Sequence, residues 1–211
     1  MSDIDLKPET KAQLEQVSVA TLATALFKRG LRNQVLQDVR PVKPKRRNMV
    51  GPAFTLRYIP AREDRNQLVV FRDPKHPQRH AIETCPAGHV LVMDSRRDSS
   101  MASAGDILIT RLMVRGGAGV VTDGGFRDAM NIGELDIPAY HNRPSSPTNL
   151  TNNEAIEING PIGCGNVAVF PGDIMVGDAD SVIVIPAVIA DEVATEATEM
   201  IAILASHLRK M

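Results

Sequence analysis

Residues 89–128 decide the fold: His89-Val90-Leu91-Val92-Met93-Asp94, then Ser103-Ala104-Gly105-Asp106-Ile107-Leu108-Ile109, then Gly119-Val120-Val121-Thr122-Asp123-Gly124-Gly125-Phe126-Arg127-Asp128. The first and last of these open on unbroken apolar runs, and Ala104 to Arg115 reads as a helix between them. Strands without alternation are strands buried on both faces, so strand, helix, strand at this spacing predicts a right-handed parallel crossover. Reactive side chains in such units gather at the carboxyl edge of the strands. Asp106 and the pair Arg127-Asp128 are separated by twenty mostly apolar residues and each follows a buried element. Two carboxylates and a guanidinium are therefore expected to share one pocket.

Working outward, a further helix is expected from near Arg127 to near Gly133, and Ile137-Pro138-Ala139-Tyr140 reads as a short strand. Upstream, Val50 to Tyr58 alternates and predicts a half-buried strand. Arg72 to His80 carries two prolines and reads as an exposed loop. His76 and His80 stand four apart, but Pro77 between them argues against the helix a metal pair would need. The basic run Pro41 to Arg47 reads as a solvated loop. The chain opens with helix chemistry from Pro8 to Arg29, with Ser18 as a break and Gly30 as a stop. After Asn142, short β-like pieces punctuated by glycine predict a mainly antiparallel layer. A closing helix, Ala187 to Leu208, has an apolar stripe that includes Val188, Val193, Ala197, Ile201 and Leu204.

The chain has 211 residues, which fits a single domain over 1–211 with residues 1–40 as a helical segment packed on it. A net charge of −1 with no Trp and two Tyr argues against a nucleic-acid platform. No apolar run approaches the roughly 20 residues of a spanning helix, and Met1 to Asp5 is acidic, so no membrane association is expected and the cytoplasm is the expected location. Cys85 and Cys164 lack any close Cys or His spacing and read as core thiols.

The backbone amides of Gly105 to Leu108, at a helix start, suit a substrate carboxylate. Taken singly, Asp106 reads equally as a first-turn acid, and Arg127-Asp128 as a local ion pair and cap; Asp123 is placed to orient Arg127. Together they form a hard-oxygen site that suits Mg²⁺ or Mn²⁺ held by few protein oxygens and several waters. Such an ion fits a 2-oxo acid substrate, with Arg127 adding positive charge where an enolate forms. No GxGxxG or P-loop is present, which leaves little for a nucleotide-binding reading.

Gly105-Asp106, the gap, Arg127-Asp128, Gly172-Asp173 and the segment Gly177-Asp178-Ala179-Asp180-Ser181-Val182-Ile183-Val184-Ile185-Pro186 together resemble the RraA-like family. That family includes the regulator of ribonuclease activity A and class II 4-hydroxy-4-methyl-2-oxoglutarate/4-carboxy-4-hydroxy-2-oxoadipate aldolases with oxaloacetate decarboxylase activity. The resemblance implies an α/β fold, the swivelling β/β/α domain with mixed sheets and flanking helices, assembled as a homotrimer or a hexamer with sites at subunit interfaces. It implies Asp128 as the metal residue, Arg127 and Asp106 as catalytic residues, and Gly105, Asp106, Ile107, Leu108 and Arg127 as the binders of a small 2-oxo acid. Asp106 would help position the water that takes the 4-hydroxyl proton, and Glu192, Glu196 or Glu199 would be lent by a neighbouring subunit. The alternative function is a non-catalytic regulator that binds and inhibits ribonuclease E. The complete acid-Arg-Asp pattern favours the lyase.

Overall fold

The computed structural model describes residues 6–208, so the acidic start Met1 to Asp5 lies outside the described residues. Two helices open it, α1 (Pro8–Leu14) and α2 (Val19–Lys28). They are divided at Ser18, whose Oγ accepts the Thr21 N–H at 3.3 Å and caps α2. Past the end of α2, Gly30 sits at φ +81°, its N–H on Phe27 O and that of Leu31 on Leu26 O, a closure that requires the left-handed region. Ser18→Ala is expected to cost about 1 kcal/mol, read as a lower melting temperature that Ser18→Asp restores. Equal melting of all three proteins would remove the cap from the account.

The chain continues through β1 (Arg40–Pro41), β2 (Met49–Pro60), α3 (Pro77–Thr84), β3 (Val90–Asp94), β4 (Ala102–Ala104) and α4 (Asp106–Val114). Then come β5 (Gly119–Thr122), β6 (Gly125–Phe126), α5 (Ala129–Glu134), β7 (Ala139–His141) and β8 (Arg143–Pro144). The remainder is β9 (Asn153–Ile158), β10 (Ile162–Cys164), β11 (Val167–Val169), β12 (Ile174–Gly177), β13 (Val182–Ile185) and α6 (Ala190–Leu208). The main sheet runs β1-β7-β5-β3-β2-β12-β13, with β9 also on β2. β3, β5 and β7 are parallel, as the crossover pattern requires. This is the α/β class of mixed sheets with flanking helices, the swivelling β/β/α arrangement.

β2 joins the two textures of the sequence. Its centre pairs parallel with β3, Ala53 opposite Val90, while its ends pair antiparallel with β12 and β9. Of the antiparallel half, β9, β12 and β13 thus continue the same sheet, while β10 and β11 form a separate two-stranded antiparallel hairpin. β2 is also buried on both faces over most of its length, contrary to the half-buried strand its alternation predicts. Phe54, Leu56 and Tyr58 face the cluster under α3, α4 and α5, while Ala53 faces an inner cluster with Val90, Val92, Val121, Met175 and Val184. Cys85 and Cys164 are both core thiols, and burial raises the Cys85 pKa to about 12.

α1, α2 and α6 cover the β12–β13 side through Leu22, Leu26, Ile174, Ile183, Val193 and Ala197. Ile201 and Leu204 of the expected stripe are exposed instead, because the stripe runs on past the elements that α6 packs against, and Val188 is exposed in a 3-10 turn, Ala187–Ile189, that precedes α6. The basic run is solvated, with two local duties. Lys45 Nζ donates to Gly133 O and Leu135 O at the end of α5, and Lys43 pairs with Glu134 at 2.9 Å. Cations at a helix C-terminus satisfy carbonyls that have no intrahelical donor. Among the described residues no helix is long and apolar enough to cross a membrane.

Arg72 to His80 is not wholly an exposed loop. Pro77 is the first residue of α3, where its missing N–H costs nothing, and His76 and Gln78 are buried. The proline that argues against a helix across His76 and His80 is the one that starts it.

Candidate active site

Beyond the carboxyl ends of β3 and β5 the chain builds a separate, small parallel sheet, β4-β6-β8. Ala104 lies opposite Phe126, and Arg127 N–H donates to Ala104 O at 3.0 Å. That pairing sets the end of β4, Gly105, beside the end of β6, Arg127-Asp128. A buried hydroxyl network holds the junction: Ser103 Oγ lies 2.6 Å from Ser95 Oγ and 2.7 Å from Thr122 Oγ1, and Thr122 Oγ1 accepts the Gly124 N–H at 3.0 Å. Tyr58 Oη donates to Ser103 O at 2.9 Å. Gly124 and Gly125 are required by this packing, not by a ligand. A Cβ on Gly124 would stand 2.6 Å from Ser95 Cβ, and one on Gly125 2.5 Å from Ser145 Cβ.

A cavity of about 360 Å³ opens on this junction, and Gly105, Asp106, Ile107, Leu108, Arg127 and Asp128 all line it. A Cβ on Gly105 would lie 3.4 Å from Asp128 Oδ2 and 3.6 Å from Arg127 Cβ, so the backbone here is held against both side chains. Gly105 is the N-cap of α4 and offers no side chain to it, and the first α-helical bond is Ile109 N–H to Gly105 O. The N–H groups of residues 106–108 are therefore without intrahelical acceptors. Asp106 Oδ2 accepts from Asn131 Nδ2 at 3.0 Å, tying the first turn of α4 to α5.

Asp128 occupies the left-handed region, φ 54° and ψ 38°, at the start of α5, and its carboxylate makes no capping bond. Arg127 and Asp128 do not form an ion pair with each other. The local pair-and-cap reading of Arg127-Asp128 thus fails on both counts. A strained backbone and an uncommitted guanidinium and carboxylate at the wall of a cavity are features that packing alone does not require.

Asp123 does not orient Arg127. It is buried beneath the junction and accepts the N–H groups of Ser95 at 2.7 Å, Arg97 at 3.1 Å and Gly165 at 3.1 Å. Burial nevertheless outweighs those donors and raises its pKa to about 6. Of the three glutamates on α6, Glu196 is committed within its own chain to Lys28 and Arg29, whereas Glu192 and Glu199 are exposed. The reading of the sequence missed Phe71, Gln78, Arg79, Thr148 and Asn149, which complete the cavity wall. Pro77 as a helix start was the available signal for Gln78 and Arg79. For Asn149, in a polar stretch, there was none.

The sequence model of the RraA-like family, Aldolase/RraA, matches residues 19–184. A protein of Halalkalibacterium halodurans provisionally named as a 4-hydroxy-4-methyl-2-oxoglutarate aldolase is 34% identical over 151 residues, 69% of this chain and 64% of its own length. The chain therefore matches less than two thirds of that relative. Streptomyces coelicolor RraAS2, described as an unusual member of the RNase ES inhibitor RraA protein family, superposes with a TM-score of 0.83 at 26% identity over 97% of each chain. The RNA-processing inhibitor RraA of Thermus thermophilis shares the fold with a TM-score of 0.57 at 22% identity, over 78% of this chain and 92% of its own. Aldolases and regulators alike are found among such proteins. With the family model matched from α2 to β13 and the fold shared nearly end to end, the chain belongs to the RraA-like family.

Proposed function

We propose that the protein is a divalent-metal-dependent lyase that breaks a C–C bond of a 2-oxo acid and releases pyruvate. It would act as a 4-hydroxy-4-methyl-2-oxoglutarate/4-carboxy-4-hydroxy-2-oxoadipate-type aldolase, an oxaloacetate decarboxylase, or both. One observation carries the reading: Asp106, Arg127, Asp128 and the free amides of α4 line a single cavity. Asp128, with Asp106 near the ion's water shell, would hold Mg²⁺ or Mn²⁺. The donors fit, because they are carboxylates, and no cluster of three His, Cys, Asp or Glu among the described residues forms a full protein cage. Bound there, the ion would supply Lewis-acid polarisation of the 2-oxo group.

The chain's own residues account for the rest. The amides of residues 106–108 bind the substrate carboxylate at the positive end of α4. When the C3–C4 bond breaks, its electron pair passes to C3 and negative charge develops on the 2-oxo oxygen. Arg127 places fixed positive charge at that oxygen, an interaction stronger in the transition state than in the ground state. Protonation at C3 then gives pyruvate. In the retro-aldol case a hydroxide positioned by Asp106 would take the 4-hydroxyl proton and become the water that protonates C3, while C4 leaves as a carbonyl. Decarboxylation needs no such base.

The proposal includes a homo-oligomer, trimer or hexamer, covering the cavity mouth. Ile107 and Met130 are 81% and 88% exposed on α4 and α5, apolar surface that a second copy would bury, and Glu192 or Glu199 is free to be lent across. The competing reading is a regulator of ribonuclease E, favoured by the likeness to RraAS2. A coupled pyruvate-release assay over hydroxy-oxo-dicarboxylates, 2-keto-3-deoxy acids and oxaloacetate separates the two. Release from at least one acid, abolished by EDTA and restored by Mg²⁺ or Mn²⁺, is expected. No release from any acid, together with direct ribonuclease E binding, would establish the regulator.

A further inference from the structure

We infer that Arg79 is the residue that binds the second carboxylate of the substrate and so sets the preference for dicarboxylic 2-oxo acids over acids with a neutral, hydroxylated tail. The inference rests on the lyase reading and names the residue that would read the second carboxylate its substrates carry. Arg79 is in the first turn of α3 and lines the cavity with Phe71. Its neighbour Gln78 is buried and donates from Nε2 to Ser103 O, which fixes that turn of α3 to β4. The Arg79 backbone is thus anchored to the strand that ends at Gly105. Its Nη1 donates to Phe71 O at 2.6 Å, and among the described residues it has no carboxylate partner. The nearby Arg111 and Arg115 differ, since both pair with Glu83, at 2.9 Å and 3.4 Å. A guanidinium held by one edge at a cavity wall presents its remaining donors for a carboxylate.

Charge balance leads to the same class. Arg79 and Arg127 offset Asp106 and Asp128 in the cavity wall, so a bound divalent ion leaves two positive charges for the substrate to neutralise. A dicarboxylate does so, whereas a monocarboxylate leaves one charge unmet. Much of the remaining wall is apolar, Phe71, Ala102, Ala104 and Leu108, which strengthens the effect of each charge. Of the neutral groups a hydroxylated tail could use, Gln78 Nε2, Thr148 Oγ1 and both ends of the Asn149 amide are already engaged inside the wall. Gln78 Nε2 also approaches Asn149 Oδ1 at 3.4 Å, which Thr148 Oγ1 approaches at 3.3 Å, and Asn149 Nδ2 donates to Asn153 O at 3.4 Å.

The test compares 2-oxoglutarate with 2-oxopentanoate, which has the same carbon chain without the terminal carboxylate, by calorimetry in the presence of Mg²⁺. Wild type is expected to bind 2-oxoglutarate more tightly by about tenfold or more, and Arg79→Gln to remove that difference while leaving 2-oxopentanoate unchanged. With a dicarboxylic substrate, Arg79→Gln should raise KM by a similar factor and leave kcat nearly constant. Equal binding of the two acids by wild type, or a preference that survives in Arg79→Gln, overturns the assignment even if pyruvate is released. A wild type that releases no pyruvate yet keeps the Arg79-dependent preference sinks the lyase reading and leaves the carboxylate subsite standing.

Discussion

Arg127→Ala is expected to lower kcat for pyruvate release by about 10²–10³-fold or more, with the fold and the assembly intact. The side chain is exposed at the cavity wall, so its loss opens no core cavity and leaves no buried partner unsatisfied. Arg127→Lys should recover little, because a compact ammonium cannot reproduce the planar fork. Asp128 calls for a different substitution. At φ 54° an alanine adds backbone strain of about 1–2 kcal/mol, which would mix stability with chemistry. Asparagine tolerates that region and keeps the shape, so Asp128→Asn isolates the charge. Turnover and metal affinity, measured by isothermal titration with Mn²⁺, should both collapse. Asp128→Gly should be as inactive yet more stable, as expected where strain is retained for a functional geometry. Full turnover in Arg127→Ala or Asp128→Asn removes that residue from the mechanism.

That these residues share a wall was legible because the crossover β3-α4-β5 is written in unbroken apolar runs, and topology alone carries Asp106 toward Arg127. The means of their convergence was not legible. β4, β6 and β8 span three, two and two residues, too few for any periodicity to register, and they pair across 18 to 23 residues of chain. α3 was hidden because Pro77 was weighed as a breaker and not as a first-turn residue, and with it went Gln78 and Arg79. Asp123 was misplaced for a simple reason: a carboxylate beside Gly-Gly looks like a site, and only the fold shows that its partners are the N–H groups of Ser95, Arg97 and Gly165. The α6 stripe failed at its end because periodicity reports that a face is apolar without saying what lies against it.

His141→Phe is expected to change the dependence of stability on pH by about 3 kcal/mol. His141 is 6% exposed, its ring is stacked on Phe126 with centroids 5.6 Å apart, and Nδ1 has no partner. Burial lowers its pKa to about 4 from the ordinary 6.5. Between those values the unfolded chain binds the proton and the folded one refuses it. Stability from this group is complete above pH 6.5 and is lost as pH falls to 4, about 3 kcal/mol at roughly 1.4 kcal/mol per unit. Asp123 works in the opposite sense. With its pKa raised from 3.8 to about 6, its contribution is complete below 3.8 and is lost as pH rises through 6. The two windows overlap and their sizes are similar, so these two groups together leave the wild type nearly level between pH 4 and 6. Phenylalanine keeps the stack and removes the proton site, which exposes the Asp123 slope. In urea unfolding across that range the variant should gain stability as pH falls, and its advantage over wild type should grow by about 3 kcal/mol from pH 7.5 to 4. Parallel curves for the two proteins would mean that His141 takes up its proton equally well folded and unfolded, and the burial of its ring would then carry no electrostatic cost.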